Sequence, residues 1–411
     1  MQRERAMKKS KASLPASEER GAILERTRAQ KMARSSHRYV RGNTLQFYEW
    51  LASPAAEGVP EGPAVWICGD CHVGNLGPIV NAAGQIRVHI RDLDQTTIGN
   101  PAHDLVRLAL SLASAARGSD LPGVATARML EAIMDGYDTA FEHDFDEAED
   151  NPEPPAAVLR VMKQAAARTW KHLAKERLDG TAPKIPLGKK FWPISEEERG
   201  AIGAVFADHS VARLATLVKS RDDHARVELV DSAYWMKGCS SLGLLRYAAL
   251  LEVSDGDSGS SDLCLMDIKE AVESAAPESS GANIPKDPGR RVVEGALHIS
   301  PFLGERMRAT SLLDRPVFIR ELMPQDLKLE LTQLSADEAL KAAEYLATVV
   351  GYAHARQMDS STRSSWQAEL AHHRAKDLDA PSWLWSNVVG LLVDHEGTYL
   401  EHCRRYALAD Q

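Results

Sequence analysis

Apolar and polar positions recur along the chain with two different periods, and the change of period marks its elements. Ile86, Val88 and Ile90 alternate with Arg87 and His89, the period of a half-buried strand. With Leu76–Val80 before it and Asn81-Ala82-Ala83-Gly84 between, this segment predicts a hairpin. A short apolar run at 64–68 predicts a strand ahead of it. Asn100-Pro101 predicts a helix start with proline in the first turn. Leu105, Leu108, Ala109 and Leu112 then fall on one helical face. Residues 18–50 read mostly as helix, followed by a Pro/Ala/Gly-rich linker over 52–63.

Farther along, residues 124–220 read as largely helical, broken at 151–155 and 180–193. From 225 the pattern changes. Segments 247–253 and 263–268 predict strands joined by an Asp/Gly/Ser-rich loop at 254–262, and 317–322 predicts another. A short helix is expected at 290–298. Ser335 with Glu338 three residues on predicts a capping box. The helix it opens carries Leu340, Ala343, Ala347, Val350 and His354 along one face. The last 45 residues read as helical.

Composition narrows the class. The chain has 411 residues, 44% hydrophobic and 26% charged, enough for sizeable cores and incompatible with a disordered or collagen-like chain. Its longest nearly apolar stretch, 383–393, contains Ser386 and Asn387 and is too short to span a bilayer, so no membrane partner is expected. Arg3, Arg5, Lys8, Lys9 and Lys11 open the sequence with no apolar segment behind them, which predicts no secretory leader. Five scattered cysteines predict a reducing, cytoplasmic location.

Charge is unevenly placed. Net charge is −9, yet residues 1–41 hold twelve Lys/Arg against four Glu. Such an arm either packs on its own acidic body or meets an anionic partner. Aromatics are only 6% of the chain and none precedes Tyr39, which argues against a base-stacking platform for nucleic acid.

The densest polar cluster is Gly69-Asp70-Cys71-His72-Val73-Gly74-Asn75, between the first strand and the hairpin. The hairpin returns Asp92 and Asp94 to the same edge. An aspartate can accept a hydroxyl proton, and an asparagine with a second aspartate can hold Mg²⁺ through oxygen. The same residues are ordinary turn formers. Later come a small-residue turn, Lys237-Gly238-Cys239-Ser240-Ser241-Leu242-Gly243, and a strand ending in Lys269. Arg41 is placed to reach either a phosphate or an internal carboxylate. The acidic run Glu142, Asp144, Asp146, Glu147, Glu149 and Asp150 could attract a cationic acceptor or lie in solvent. Cys68-x-x-Cys71 lacks the second pair of a zinc site, and no Gly-x-Ser-x-Gly elbow accompanies Ser240-Ser241.

Gly-Asp-x-His-x-x-Asn, then Asp-x-Asp after a hairpin, then Pro-x-x-Asp-Leu on a helix, resembles the catalytic segment of aminoglycoside phosphotransferases and related protein-kinase-like enzymes. The resemblance implies that Asp70 is the catalytic aspartate, that Asn75 and Asp92 bind metal, and that Asp104 braces the loop. Cys68 stands where those enzymes usually have His. It further implies that Gly238, Ser240, Ser241 and Gly243 cover phosphates, that Lys269 pairs with them, and that Glu294 orients Lys269, with Glu270 and Glu273 as competitors. The 317–322 strand and Met323-Pro324 would form the adenine hinge.

The motif order is reversed, because the catalytic segment precedes the nucleotide lobe. In this the chain resembles a bacterial family of unknown function sharing Arg41-Gly42, Lys269 to Ala271, Arg291 to Gly295 and Ala353 to Arg356. Cys239-Ser240 departs from that family's commoner Gly-x-Gly-Ser-x-Gly. The implied fold is α+β, two-lobed and protein-kinase-like, with circularly permuted chain order and a helix-rich large lobe. The expected parts are a basic helical arm (1–42), a large-lobe part with the catalytic loop (43–224), a small nucleotide lobe (225–332) and a helical return (333–411). The implied activity is ATP- and Mg²⁺-dependent phosphoryl transfer to a hydroxyl of a small molecule or protein. AMP transfer and a non-catalytic nucleotide-binding or interaction role stay open. One geometric consequence is checkable: the end of the helix at 353–356 should lie beside 65–69.

Overall fold

Short strands frame the polar cluster. In the computed structural model, which describes residues 14–56, 58–118, 121–142, 152–169, 183–219, 221–239, 241–254, 261–329, 334–372 and 382–406, β1 (Val65–Ile67) pairs antiparallel with β4 (Thr97–Gly99). The expected hairpin forms from β2 (Leu76–Val80) and β3 (Ile86–Ile90), with Leu76 opposite Ile90. The main sheet is antiparallel and runs β5 (Phe191–Trp192), β6 (Arg226–Trp235), β7 (Arg246–Ser254), β8 (Ser261–Glu270), β10 (Arg315–Glu321), β9 (Met307–Leu312) in spatial order.

The segment 18–50, expected to be mostly helical, forms three helices: α1 (Arg20–Met32), α2 (Ser36–Gly42) and α3 (Thr44–Leu51). Ser35 is the reason for the first break, since its hydroxyl accepts from Arg38 N and caps α2. Next come α4 (Pro101–Arg117), capped by Asn100, then α5 (Gly123–Thr139), α6 (Ala156–Ala166), α7 (Glu196–Ala207) and α8 (His209–Ala212). The expected short helix is α9 (Pro288–Ile299), followed by α10 (Pro301–Gly304). The capping box of Ser335 and Glu338 opens α11 (Ala336–Ala355). Helices α12 (Ser360–His372) and α13 (Ser382–Tyr406) complete the described chain. The architecture is mixed α+β.

One large core joins α4, α5, α11 and α13 to β1–β3, with Leu105, Leu108, Ile133, Tyr137, Leu346 and Val350 fully buried. Each such aliphatic side chain contributes about 1.5–3 kcal/mol of burial. The main sheet has two distinct faces. Tyr247, Ala249, Leu251, Met266, Ile268, Val317 and Ile319 pack with α7, α8 and Leu24 of α1. The opposite face holds Trp235, Ala248, Leu250 and Leu265. Strand alternation continues that second face into Arg246, Asp267, Lys269, Phe318 and Arg320, which lie opposite one another in register. This charged half of the face looks onto the 69–75 cluster.

The chain return also follows expectation. Gln357, just past α11, bonds both backbone groups of Trp66 in β1, at 2.9 Å each. His354 reaches Asp104, which holds the backbone of Cys68 and Gly69. The end of α11 therefore lies beside 65–69. Among the described residues, no helix is long and apolar enough to cross a membrane.

Candidate functional site

The loop after β1 is held from one helix face. Asp104 on α4 accepts from Cys68 N at 2.7 Å and Gly69 N at 3.0 Å, one carboxylate oxygen each. Three residues on, the same face presents Arg107, whose Nε donates to Asp70 Oδ1 at 2.9 Å. One helix thus fixes both the loop backbone and its carboxylate. Behind Asp104 runs a buried chain: His354 Nε2 at 3.2 Å, Tyr137 Oη to His354 Nδ1 at 3.0 Å, and Trp366 Nε1 to Tyr137 Oη at 3.2 Å. Gly69 sits at φ +73°, and a Cβ there would lie 2.0 Å from the Gln95 carbonyl oxygen, so the turn admits no side chain.

Asp70 is buried. Burial pushes its carboxyl above the usual range, and the Arg107 guanidinium opposes that rise. His72 Nε2 stands 3.8 Å from its Oδ2. Burial, then Arg41 and Arg107, push His72 well below its ordinary value, so it is neutral near pH 7. Asn75 ends a short 3₁₀ turn and donates through Nδ2 to Asp70 O at 2.9 Å. Its amide nitrogen is spent on the loop, which leaves the amide oxygen as an acceptor.

The hairpin then brings Asp92 back, with Arg91 N bonded to Asn75 O at 2.7 Å. Lys269, buried at the end of β8, meets Asp92 Oδ1 at 3.3 Å and also pairs with Asp94 Oδ2. Burial and the charge of Asp92 push Asp94 up to about 7. Asp92 is held well below the usual range: burial opposes ionisation, and Lys269 with Arg320 and Arg246 overcomes it. About half of its side chain (48%) remains open to solvent.

These groups border a cavity of about 300 Å³. Asp70, Asn75 and Asp92 form one side, and Gly238 and Ser241 of the small-residue turn another. Gly238 and Gly243 have φ of +97° and +108°, the backbone of a tight turn, though Gly243 is not on the wall. Ser240 lies outside the described residues. Lys269 touches the site through Asp92 rather than as wall. The rest of the wall is strongly basic: Lys31, Arg34, Arg38 and Arg41 from α1–α2, with Arg91, Lys237, Arg246, Arg320 and Lys328. The arm packs on its own body, Arg20 pairing with Glu198 at 2.6 Å, and its helices also close this cavity, with Lys31 Nζ donating to Gly238 O at 3.0 Å.

Two expectations are not met. Glu294 is exposed on α9 and is not brought to Lys269. The side chain that α9 turns inward is Arg291, which donates to the backbone oxygens of Asp94 (2.9 Å), Val272 (2.7 Å) and Thr96. The competitors fare no better: Glu270 pairs with Arg315. Part of the hinge backbone is also engaged within the protein. Leu322 N donates to Leu265 O, and the oxygens of Glu321, Met323 and Pro324 accept from Arg306, Asp326 N and Arg168.

Cys68, Cys71 and Asp104 place their ligand atoms within 4.8 Å of one another. Both Asp104 oxygens already accept hydrogen bonds, and burial raises the Cys68 thiol well above its usual value. The trio is a packed core feature.

A family model covers residues 21–405 of this chain. The chain belongs to that family, described as an uncharacterized protein conserved in bacteria (DUF2252). The match includes α2, all of α1 but its first residue, and every residue of the cavity wall named above. No curated protein and no solved structure matches the chain.

Several wall residues escape sequence reasoning. Arg246 is buried at an inward position of a largely apolar strand, where a buried arginine is itself a signal, and Arg320 is half-buried on the same face. Arg107 interrupts the apolar face of α4 one turn after Asp104, a second signal of the same kind. Lys328 and Arg91 carry none.

Proposed function

We propose that this chain is an ATP- and Mg²⁺-dependent phosphotransferase with a protein-kinase-like fold in circularly permuted order, acting on a hydroxyl acceptor. The observation that carries the reading is the convergence of Asp70, Asn75 and Asp92 on one cation-walled cavity, with Lys269 paired to Asp92. The element order supports it: a hairpin with a glycine turn, a strand bearing the lysine, a helix, two further strands, then a long helix that ends against the loop of Asp70.

The residues present fit a magnesium ion. Asn75 and Asp92 offer only oxygen, and Asp94 Oδ1 beside them is buried without a partner. Asn75 and Asp92 would hold it, and bound there it would neutralise charge on the phosphate oxygens. The protein's own groups do the rest. Asp70, its loop fixed by Asp104 and its carboxylate by Arg107, accepts the acceptor's hydroxyl proton. The acceptor oxygen forms the new bond to the γ-phosphorus as the bond from that phosphorus to the bridging oxygen breaks. The electron pair leaves with ADP. Lys269 would hold the nucleotide phosphates, and the rate gain comes from positioning and electrostatics.

The test is thermal unfolding with and without Mg·ATP, on wild type and Lys269→Ala, followed by product analysis. A Mg²⁺-dependent rise in midpoint that is lost in the variant supports the nucleotide site. ADP as product supports phosphoryl transfer, and pyrophosphate would replace it with AMP transfer. Asp70→Ala should keep nucleotide binding and lose transfer; sustained turnover in that variant would refute the role given to Asp70.

A further inference from the structure

We propose that the acceptor is itself a polyanion, a hydroxyl compound already carrying phosphate, and that α2 with the turn before it forms the wall that binds it. This rests on the phosphotransferase reading above. Two classes of cation line the cavity. On the sheet side the charges are already engaged: Arg246 makes a bidentate pair with Asp267 at 2.9 and 2.6 Å, and Arg320 donates to Arg91 O at 2.9 Å. On the facing wall stand Arg34 from the turn between α1 and α2, Arg38 and Arg41 one turn apart on α2, and Lys328. Among the described residues, none of these four side chains makes an ion pair or hydrogen bond; Asp70 and Asp92 act on Arg41, and Asp92 on Lys328, only from a distance.

Arg41 shows the arrangement most clearly. Its guanidinium lies against Gly74, where a Cβ would stand 2.7 Å from Cζ, so the glycine is what admits it to the loop of Asp70. Its Nε is buried and unpaired, and burial lowers its ordinary affinity for a proton. Four unbalanced cations crowded at one mouth repel each other until an anion arrives. A magnesium–nucleotide complex, already partly neutralised by its metal, does not balance them all. Planar guanidiniums at this spacing match phosphate oxygens in geometry as well as charge. A cationic acceptor, one reading of the acidic run near 142–150, would meet like charge here; of that run only Glu142 lies among the described residues.

The test is calorimetric titration of the full chain with myo-inositol hexakisphosphate, and with unphosphorylated myo-inositol as the neutral arm. Titrations are run with and without a saturating non-hydrolysable ATP analogue plus Mg²⁺, on wild type, Arg38→Gln/Arg41→Gln, Arg38→Lys/Arg41→Lys and Lys269→Ala. The hexakisphosphate is expected to bind alongside the analogue, and myo-inositol not to bind. The double Gln variant should lose about tenfold or more in hexakisphosphate affinity with analogue affinity unchanged. The double Lys variant should keep most of that affinity, which separates charge from misfolding. Displacement of the hexakisphosphate by the analogue, or undiminished binding in the double Gln variant, would overturn the proposal. Failure of the analogue to bind any form sinks the phosphotransferase reading instead; the anion wall is then judged on the Gln and Lys variants alone.

Discussion

Gln357 and Trp66 form a reciprocal pair, the glutamine amide accepting from Trp66 N and donating to Trp66 O, both at 2.9 Å. The side chain serves β1 as a neighbouring strand would, on the edge that β4 leaves open. It ties the strand that leads into Asp70 to the C-terminal end of α11, 291 residues away in sequence. Gln357→Leu should leave both backbone groups unmatched and cost about 2–4 kcal/mol. Gln357→Glu should keep the bond from Trp66 N, since a carboxylate accepts but cannot donate. Urea unfolding of the two variants checks this, and equal stability of wild type and Gln357→Leu would mean that the pair contributes nothing.

Arg107 and Asp70 are a buried ion pair at the head of the site. Arg107 also donates to Val40 O at 2.8 Å and lies over the Phe47 ring. Removing one partner strands the other charge in a low-dielectric setting. Arg107→Met should therefore destabilise by about 3–5 kcal/mol, and Asp70→Asn by less, because the amide still accepts. The double variant should recover part of the loss, a coupling on the order of 1–3 kcal/mol. Strict additivity in chemical denaturation would show that the two side chains act independently.

The grouping of the loop residues was legible because it is local. Asp70, Asn75, Asp92 and Asp104 lie within 35 residues, and the strand, hairpin and helix between them carry plain periodic signals. Lys269 was legible as the lysine ending an apolar strand. Glu294 was misjudged because composition does not fix which face of α9 turns inward; Arg291, three residues earlier, holds that face. Strand β6 went unread because its register shifts between Leu229 and Asp231, and a bulge breaks the alternation on which a strand is recognised. Edge strand β9 has too few apolar residues to announce itself. The basic wall was out of reach for a different reason. It is assembled from α1, α2 and single positions at 91, 246, 320 and 328, and a count of charge in the arm does not say which way the arm faces.

Acid stability should depend on buried neutral histidines. His395 is fully buried, with Nδ1 on Leu391 O at 3.0 Å, and burial followed by the nearby Arg107 lowers its pKa to about 4. In the unfolded chain it titrates near 6.5. Below that pH the unfolded state binds the extra proton, so stability present above pH 6.5 is lost as pH falls toward 4. The loss is about 1.4 kcal/mol per pH unit for this residue, roughly 2 kcal/mol by pH 5. His89, held at about 3 by burial and by Arg356 and Arg87, adds a second contribution of the same sign. His395→Gln should flatten the decline in urea midpoint between pH 7 and pH 5. A variant whose decline matches wild type would place the acid sensitivity elsewhere.

Lys328 sets stability against binding. It lines the cavity beside Arg41 and Arg91 with much of its stem exposed, and loss of water around its ammonium together with these two charges lowers its pKa to about 8. The unfolded lysine keeps its proton to about 10.4. The charge is therefore unfavourable in the free folded protein below pH 8, and stability rises between pH 8 and about 10 as the folded state gives up that proton first. A bound anion reverses the balance by favouring the ammonium. Phosphate affinity should consequently fall as pH rises through about 8. Lys328→Met should melt at a higher temperature than wild type at pH 7, bind phosphate more weakly, and lack the affinity step near pH 8. Parallel melting and titration of the two proteins from pH 7 to pH 9 decides the matter. A variant that melts lower than wild type would mean that Lys328 is held by packing, and a step that survives in Lys328→Met would assign the titration to another group on the wall.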